Sequence, residues 1–210
     1  DIYLNDPIVV LDYASLYPSS IIEKNVSHET LIEDISLLSE NGGPIDNYYK
    51  LSYDNYKYQG VGKGDKVEKI IDTINPVKNC YFMKPEFMEK HNMGTKGIIP
   101  LVLEELLQAR NQTKKRMKSE KDEFKYKVLD GLQLAYKVTA NSVYGQLGAR
   151  TGSIYKMCLA ACTTAIGRER IYDADRGVKE WAQSVNLEEP DVVYGDTDSV
   201  FVKFSRRDYQ

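Results

Sequence analysis

Apolar positions repeat with helical spacing through the middle of the chain. Pro100 follows two isoleucines in a first-turn position, which predicts a helix from residue 98 to about residue 119. A second helix is predicted from about Asp122 to Tyr144, with Gly145 as its C-terminal stop. The short connection predicts an antiparallel pair. At about 100° per residue, one stripe of the first helix is apolar at its start and basic at its end: Leu103, Leu106, Leu107, Arg110, Lys114 and Lys121.

A short apolar run precedes these helices near the start of the chain. Residues 8–11 are branched and apolar, which predicts a buried strand that ends at Asp12. Pro18 disfavours a helix through the two residues before it, so residues 12–19 are predicted to form a turn. The next helix is therefore expected to begin near residues 19–20.

The region between this strand and the helix pair is polar and rich in turn residues. Residues 48–58 are rich in tyrosine with rough alternation, which predicts an exposed hairpin strand. The glycine cluster at residues 60–64 lacks the Lys-Ser/Thr ending of a phosphate loop and predicts a hairpin tip. Residues 67–83 predict a short helix and then a strand from about residue 79.

After the helix pair, the pattern predicts one more helix and a hairpin. Residues 153–184 have helical character, with Ile166 and Ile171 as expected core positions. Residues 191–204 alternate around a Gly-Asp-Thr-Asp centre, which predicts a β-hairpin. Helices and hairpins in this order favour an α+β fold with an antiparallel sheet.

Charge is unevenly distributed along the 210 residues. The net charge of −3 argues against a binder that recognises nucleic acid by overall positive charge. Residues 110–127 nevertheless contain eight basic side chains against three acidic ones, which suggests an anionic ligand or, as the commoner alternative, a solvated helix face. The basic side chains are Arg110, Lys114, Lys115, Arg116, Lys118, Lys121, Lys125 and Lys127.

Three cysteines are too few for a disulfide framework and favour a reducing, intracellular setting. Cys158 and Cys162 have the spacing of a metal pair on a helix, but small apolar core residues are the favoured interpretation. No apolar run is long enough to span a membrane. The chain lacks an initiator Met and has no recognisable end to its fold after Phe204, so we expect a piece of a longer polypeptide.

Carboxylates stand at the predicted strand ends. Asp12 follows the first strand, and Asp196 and Asp198 lie two apart in the hairpin turn. Aspartate also favours turns for local hydrogen bonding, which explains Asp196 well but not Asp12. If the two strands are neighbours, Asp12 and Asp198 converge, and a divalent cation would relieve their repulsion. Mg²⁺ is usually held by one or two carboxylates with phosphates and waters, so the pair fits a nucleotide triphosphate site.

A polar stripe on the second helix adds an independent constraint. Lys137, Asn141 and Tyr144 are spaced i, i+4, i+7 and project within about 60° of arc. A stripe that faced the core would be apolar. Lys137 suits phosphate, and Tyr144 offers a flat face for a base or sugar. Arg110 on the preceding helix can grip phosphate with two parallel hydrogen bonds.

Three segments, in this order, resemble motifs A, B and C of the family B DNA-dependent DNA polymerases. They are Asp-x-x-Ser-Leu-Tyr-Pro-Ser at residues 12–19, Lys-x-x-x-Asn-Ser-x-Tyr-Gly at residues 137–145 and Tyr-Gly-Asp-Thr-Asp-Ser at residues 194–199. The resemblance covers nearly the whole chain. The stretch Tyr-Pro-Ser-Ser-Ile-Ile within residues 17–22 is most similar to polymerases of nucleocytoplasmic large DNA viruses.

The resemblance implies a catalytic role for four positions. Asp12 and Asp198, with Tyr13, would bind two Mg²⁺ ions, for which Mn²⁺ can substitute, and Asp196 would be a nearby, less essential acid. The ions would activate the primer 3′-hydroxyl and stabilise the leaving pyrophosphate. Lys137 would stabilise and protonate the leaving group.

The resemblance also implies how a deoxynucleoside triphosphate is held. Tyr17 would pack beneath the deoxyribose and exclude a 2′-hydroxyl, although a core aromatic is the plain alternative. The remaining nucleotide-binding positions are the backbone of Tyr13, Ala14, Ser15 and Leu16, the phosphate-binding cations Arg110, Lys114 and Lys137, and Asn141 and Tyr144 beside the nascent base pair.

In this family the fold implied is a polymerase palm with an antiparallel sheet, interrupted by a two-helix antiparallel fingers insertion. Residues 1–97 and 148–210 would form the palm, and residues 98–147 the fingers. Primer–template DNA is the implied partner, together with a proofreading exonuclease before this region, a thumb after it and a sliding clamp as a further candidate. We therefore expect the 210-residue piece alone to extend primers poorly.

Two other functions share some of these residues. A non-catalytic nucleic-acid-binding module would not need the acidic pair together with Lys137 and Tyr144. Another metal-dependent phosphotransferase, such as a nucleotidyl cyclase, shares paired aspartates but does not require the Lys-to-Tyr helix face. Mg²⁺-dependent nucleotide binding separates the first alternative from a polymerase.

Overall fold

Helices contain about half of the residues in the computed structural model, which describes residues 6–33, 36, 45–59 and 68–205. The helices are α1 (Leu16–Glu23), α2 (Pro85–Lys90), α3 (Ile98–Ser119), α4 (Glu123–Gly148) and α5 (Met157–Ser184). The strands are β1 (Ile8–Asp12), β2 (Leu31–Ile32), β3 (Tyr48–Asp54), β4 (Tyr56–Gln59), β5 (Glu68–Ile71), β6 (Val77–Met83), β7 (Asp191–Asp196) and β8 (Ser199–Lys203). The predicted α+β class with antiparallel sheets is confirmed.

The first sheet joins the two ends of the described chain in the order β1-β8-β7. Both pairings are antiparallel, and Asp12 lies opposite Ser199. The predicted hairpin is confirmed as β7 and β8, and Thr197 in its turn has a φ of 47°. One face of β8 packs on α5 through Val200 and Val202. The sheet therefore holds the acidic turn beside the end of β1.

The expectation of a buried first strand is wrong in one respect. β1 forms, but all five of its residues are exposed, and the exposed fractions of its four apolar residues run from 40% at Ile8 to 52% at Val10. The reason is its position at the sheet edge, where α5 covers β8 more fully than β1. A groove of about 560 Å³ remains beside β1, lined by Val9, Trp181 and Phe204 among others.

Helix α1 begins earlier than predicted. It starts at Leu16, where residues 12–19 were expected to form a turn. Pro18 falls in the first turn, where its missing N–H needs no intrahelical partner, so proline does not delay the helix. Ser15 precedes the helix in the left-handed conformation, with φ 57° and ψ 56°. This sharp bend turns the chain from the end of β1 into α1.

The helix pair α3 and α4 follows the prediction closely. α3 spans Ile98–Ser119 as expected, and the Asp122 side chain caps α4 by accepting a 3.0 Å hydrogen bond from the Lys125 N–H. The predicted stop at Gly145 is wrong, because α4 continues to Gly148. Leu147 is fully buried. Its burial outweighs the cost of about 1 kcal/mol for a glycine inside a helix.

The polar region folds into a second sheet and a separate pair. The order β2-β6-β3 forms one antiparallel sheet, and β4 pairs with β5. Strand β3 is half-buried rather than exposed, since Tyr48 and Leu51 face the core. The expected helix after residue 67 is wrong, because β5 and β6 occupy that stretch. The predicted hairpin tip at residues 60–64 lies outside the described residues.

The main core lies where α1, α3, α4 and α5 meet the second sheet. Phe82, Leu103, Leu147 and Leu159 are fully buried there. Ile166 is buried as expected. Helix α5 begins at Met157, four residues later than predicted, and ends at Ser184 as expected. Among the described residues, none of these helices has an apolar stretch long enough to cross a bilayer.

All three cysteines are free and belong to this core. Cys80 on β6 faces Cys158 and Cys162 on α5. The neighbouring Cys80 thiol and burial raise the pKa of Cys158. The interpretation of Cys158 and Cys162 as small core residues is therefore confirmed.

Candidate active site

The acidic strand ends, which we define as Asp12, Asp196 and Asp198, lie together at one edge of the first sheet. The backbone fixes the first and last of these, because the Tyr13 N–H donates a 2.8 Å hydrogen bond to the Asp198 carbonyl oxygen. Asp12 is exposed and Asp198 is half-buried. The sequence expectation that these two strand ends are neighbours is thus confirmed at the level of the backbone.

Asp196 differs from the other two acids in its local partner. It ends β7, which is separated from β1 by β8. The Thr197 hydroxyl donates a 3.1 Å hydrogen bond to its carboxylate, and the Asp198 N–H donates to its carbonyl oxygen. These local bonds are those of a turn-forming aspartate.

The loop between β1 and α1 is anchored at several points. The Tyr13 hydroxyl donates a 2.9 Å hydrogen bond to the carbonyl of Arg170 on α5. The Ser19 N–H donates a 2.9 Å hydrogen bond to the Ser15 carbonyl oxygen, which is the first hydrogen bond of α1. Leu16 is buried, whereas Ala14 is exposed. The loop backbone is therefore fixed from both the sheet and the helix side.

Arg110 connects the helix pair to this loop. One guanidinium nitrogen lies 3.4 Å from Ser15 Oγ, and Nε lies 3.4 Å from Oε1 of Gln133 on α4. The side chain is half-buried. A permanently charged group therefore stands over the bend that follows Asp12.

Tyr17 and Tyr144 bring α1 and α4 into contact. Their ring centroids are 4.4 Å apart with an interplanar angle of 32°. Burial raises the pKa of the Tyr17 phenol above its ordinary value of 10.0, and the nearby Tyr144 and Asp198 raise it further. Tyr17 therefore remains a neutral phenol beside the acidic strand ends.

Lys114, Lys137 and Asn141 are exposed. Within the described parts of the chain, none of these three side chains forms an ion pair or hydrogen bond with the acidic strand ends. We define Arg110, Lys114 and Lys137 as the basic helix face. Of its three cations, Arg110 contacts the loop after β1, and the two lysines extend into solvent.

Metal-binding capacity is limited to a few donors. Among the described residues, no group of three or more His, Cys, Asp or Glu side chains is gathered closely enough to hold an ion. The three carboxylates of the acidic strand ends are therefore not gathered around one point, as they would be in a closed cation site. An open donor set of this kind suits a cation whose remaining ligands are water and phosphate oxygens.

A comparison of the whole sequence with known protein families agrees with this arrangement of the acidic strand ends, the bend at Ser15 and the basic helix face. The profile of DNA polymerase family B matches residues 2–210. The chain belongs to DNA polymerase family B.

Relatives of this family B chain include viral DNA polymerases and DNA polymerase delta catalytic subunits. It is 38% identical to the DNA polymerase of Phaeocystis pouchetii virus, over 97% of this chain and 21% of that protein. It is 36% identical to the DNA polymerase delta catalytic subunit of Candida albicans, over 99% of this chain and 17% of that protein. The chain thus spans about a fifth of the length of the curated relatives it matches.

A solved structure agrees with this assignment. The family B DNA polymerase of the hyperthermophilic archaeon Pyrobaculum calidifontis is 28% identical, with a TM-score of 0.53. The match covers 98% of this chain and 21% of the archaeal one.

Two contacts of the family B chain are not among the predictions made from its sequence. Arg170 accepts from Tyr13 through its carbonyl while its guanidinium pairs with Glu23 and, at 3.0 Å, with Asp173. The i, i+3 spacing of Arg170 and Asp173 was the available signal. Gly167 lies against the Tyr17 ring. A glycine inside a helix carries no periodic signal, so this contact is visible only in the fold.

Proposed function

We propose that this chain carries the nucleotidyl-transfer centre of a DNA-directed DNA polymerase, which adds deoxynucleoside triphosphates to a primer 3′-hydroxyl as a template directs. The observation that carries the proposal is the antiparallel pairing of β1 with β8, which brings Asp12 beside Asp198. Membership of DNA polymerase family B supports the class of reaction.

The donor set fits two Mg²⁺ ions, with Mn²⁺ as a substitute. Asp12 and Asp198 would hold them, with the carbonyl of Tyr13 as a further ligand. When bound, such ions lower the pKa of an attacking hydroxyl and neutralise charge on the transferred phosphoryl group. Two carboxylates with room for water and phosphate match the preference of Mg²⁺.

The chain's own residues hold the triphosphate in this proposal. The backbone of residues 13–16 lines the phosphates after the bend at Ser15, whose left-handed conformation directs the chain away from the sheet. Arg110 offers two parallel donors to phosphate oxygens. Lys114 and Lys137 add point charges from the helix pair, and Lys137 donates a proton to the leaving pyrophosphate.

The two stacked tyrosines serve the sugar and the base. Tyr17 packs beneath the deoxyribose and leaves no room for a 2′-hydroxyl. Tyr144, which touches Tyr17, lines the nascent base pair together with Asn141. Template pairing supplies most of the base choice, and these side chains test its shape.

The proposal extends to the architecture and the setting of the chain. Residues 1–97 and 148–210 form a palm, and residues 98–147 form fingers. The chain works within a longer polypeptide that also carries a proofreading exonuclease and a thumb, binds primer–template DNA and is a candidate for a sliding clamp. Its relatives favour a viral replicative enzyme that acts inside the cell.

Single-nucleotide primer extension by the full-length polymerase that contains this segment tests the proposal. With Mg²⁺ and the matching deoxynucleoside triphosphate, the wild-type enzyme is expected to extend the primer by one nucleotide. Asp198→Asn is expected to bind primer–template DNA with unchanged affinity but not to extend it. Extension at the wild-type rate by Asp198→Asn would contradict the proposal, and a wild-type enzyme that only binds DNA would favour a non-catalytic module.

A further inference from the structure

The Tyr17 ring rests against two helices at once. It stacks on Tyr144 of α4, and it also lies against Gly167 in the middle of α5. Gly167 is buried. Since α5 fills the buried side of the half-buried Tyr17, a nucleotide reaches this ring from the side away from α5.

The contact at Gly167 depends on the absence of a side chain. A Cβ atom at this position would lie 3.0 Å from Tyr17 Cε1 and 3.7 Å from Cδ1. Optimal carbon–carbon separations are about 3.5–4.0 Å, so a methyl group here would displace the ring by a few tenths of an ångström. It would also lie 3.5 Å from Cδ2 of Leu16, which is an ordinary contact.

Other glycines in the long helices differ from Gly167. A Cβ at Gly131, Gly145 or Gly177 would meet no heavy atom of the described residues within 4 Å. Glycine inside a helix costs roughly 1 kcal/mol relative to alanine. At Gly167 that cost has a packing reason, because the glycine makes room for one particular aromatic ring.

We propose that Gly167 is a positioning residue that sets the depth of the Tyr17 ring and thereby the discrimination between deoxyribonucleotides and ribonucleotides. The inference rests on the proposed function, in which Tyr17 packs beneath the sugar. A methyl group at Gly167 pushes the ring away from α5 and toward the space of the nucleotide. The 2′-hydroxyl is the atom of a ribonucleotide that reaches furthest toward the ring, so ribonucleotides lose more than deoxyribonucleotides.

Gly167→Ala in the full-length polymerase tests the inference through single-nucleotide incorporation of dATP and ATP opposite thymine. A displacement of a few tenths of an ångström is expected to raise KM for dATP about fivefold, with kcat changed less than twofold. The fall in kcat/KM for ATP is expected to be at least about threefold larger than the fall for dATP, so discrimination against the ribonucleotide increases.

Gly177→Ala is the matched control. It makes the same exchange on the same helix, ten residues further along, where the new methyl group would have no neighbour within 4 Å in the described part of the chain. Its KM values and its sugar discrimination are expected to equal those of the wild-type enzyme. Equal changes in Gly167→Ala and Gly177→Ala would overturn the inference, because a general effect on α5 would then explain both.

Tyr17→Ala separates this inference from the proposed function. The single variant Tyr17→Ala is expected to lose discrimination against ribonucleotides. Adding Gly167→Ala to it is expected to change nothing further, since no ring remains to be displaced. If Tyr17→Ala retains wild-type discrimination, the proposed role of Tyr17 fails, and the inference fails with it. If Tyr17→Ala loses discrimination but Gly167→Ala behaves as wild type, only the inference fails.

Folding of Gly167→Ala is measured by its Tm beside that of the double variant. If Gly167→Ala alone is too unstable for kinetics, the inference requires that Tyr17→Ala restores its Tm. An unstable Gly167→Ala that Tyr17→Ala does not restore would overturn the inference, because the new methyl group would then conflict with something other than the ring.

Discussion

The acidic strand ends and the basic helix face are held by different kinds of interaction. Backbone hydrogen bonds fix Asp12 and Asp198, through the register of β1 with β8 and the bond from Tyr13 to Asp198. On the basic helix face, Arg110 makes long contacts of 3.4 Å, and the two lysines extend from exposed helix surface. The backbone that carries the two acids is thus preorganised, whereas the two lysine side chains extend into solvent.

Because of this difference, the acidic strand ends and the lysines are expected to lose different amounts of conformational entropy when a ligand binds. A carboxylate at a paired strand end loses little freedom when it binds a ligand. A lysine loses up to about 2 kcal/mol of side-chain entropy when it is held in one rotamer. We therefore expect substitutions of the acids to act on the chemical step more strongly than substitutions of the lysines. The following predictions test this, from the largest effect to the smallest.

Asp12→Asn is expected to lower the single-turnover rate of nucleotide incorporation about 10³-fold or more, because it removes several kcal/mol of charge stabilisation at the proposed metal site. Asparagine keeps the size of the side chain and the pairing of β1. Asp196→Asn is the control, since its carboxylate is held by Thr197, and its rate is expected to fall far less. Equal losses in the two variants would show that Asp12 and Asp196 act alike and would contradict the distinction between them.

Leu103→Ala tests the apolar half of the stripe that carries the basic helix face. Leu103 is fully buried, so its truncation is expected to lower the free energy of unfolding by about 2–5 kcal/mol. Lys114→Ala lies eleven positions further along the same helix on exposed surface and is expected to stay within about 0.5 kcal/mol of wild type. Denaturant unfolding measures the free energy of unfolding of both variants. A comparable loss of stability in Lys114→Ala would contradict the division of the stripe into a buried apolar half and an exposed basic half.

Lys137→Ala is expected to lower the single-turnover rate about 10²-fold with unchanged stability, because it removes an exposed side chain that we propose as proton donor to the leaving group. Lys125→Ala is the control, as an exposed lysine near the start of the same helix. An unchanged rate in Lys137→Ala would remove its role in the chemical step and leave only the acids to account for catalysis.

Glu29 anchors the start of α3, and its substitution is expected to have the smallest effect of the four. Its carboxylate accepts hydrogen bonds from the Ile98 N–H at the start of α3 and, at 2.7 Å, from the Ser27 hydroxyl. Burial alone would raise the pKa of Glu29, but these hydrogen bonds outweigh it and hold the pKa below its ordinary value of 4.5.

Since this pKa is lowered in the folded state, the stabilisation from Glu29 is complete above pH 4.5 and is lost as the pH falls through the lower, folded value. Glu29→Gln is expected to lower Tm by about 2 °C at pH 7, and the gap to wild type should close in more acidic buffer. A gap that stays constant down to pH 3 would show that ionisation of Glu29 does not contribute.

Some elements could be predicted from the sequence because local signals and packing agree. α3 was predicted at both ends, since Pro100 marks its first turn and its leucine stripe meets the core. The adjacency of Asp12 and Asp198 was also predictable, because both stand at the ends of strands that have clear apolar patterns.

Other elements depend on contacts that a local pattern does not contain. α4 continues past Gly145 because Leu147 is buried by distant elements. The exposure of β1 follows from the reach of α5, which lies more than 140 residues further along the chain. The contact between Tyr17 and Gly167 spans 150 positions and involves a residue without a side chain. Such contacts are decided by tertiary packing.

The open edge of β1 has a practical consequence for handling the protein. Among the described residues, β1 pairs only with β8, so its other edge presents unpaired backbone groups beside exposed branched side chains. Such edges promote intermolecular strand addition. A preparation of these 210 residues is therefore expected to self-associate with rising concentration, and Val10→Lys, at the most exposed apolar position of the strand, is the substitution best suited to keep it soluble.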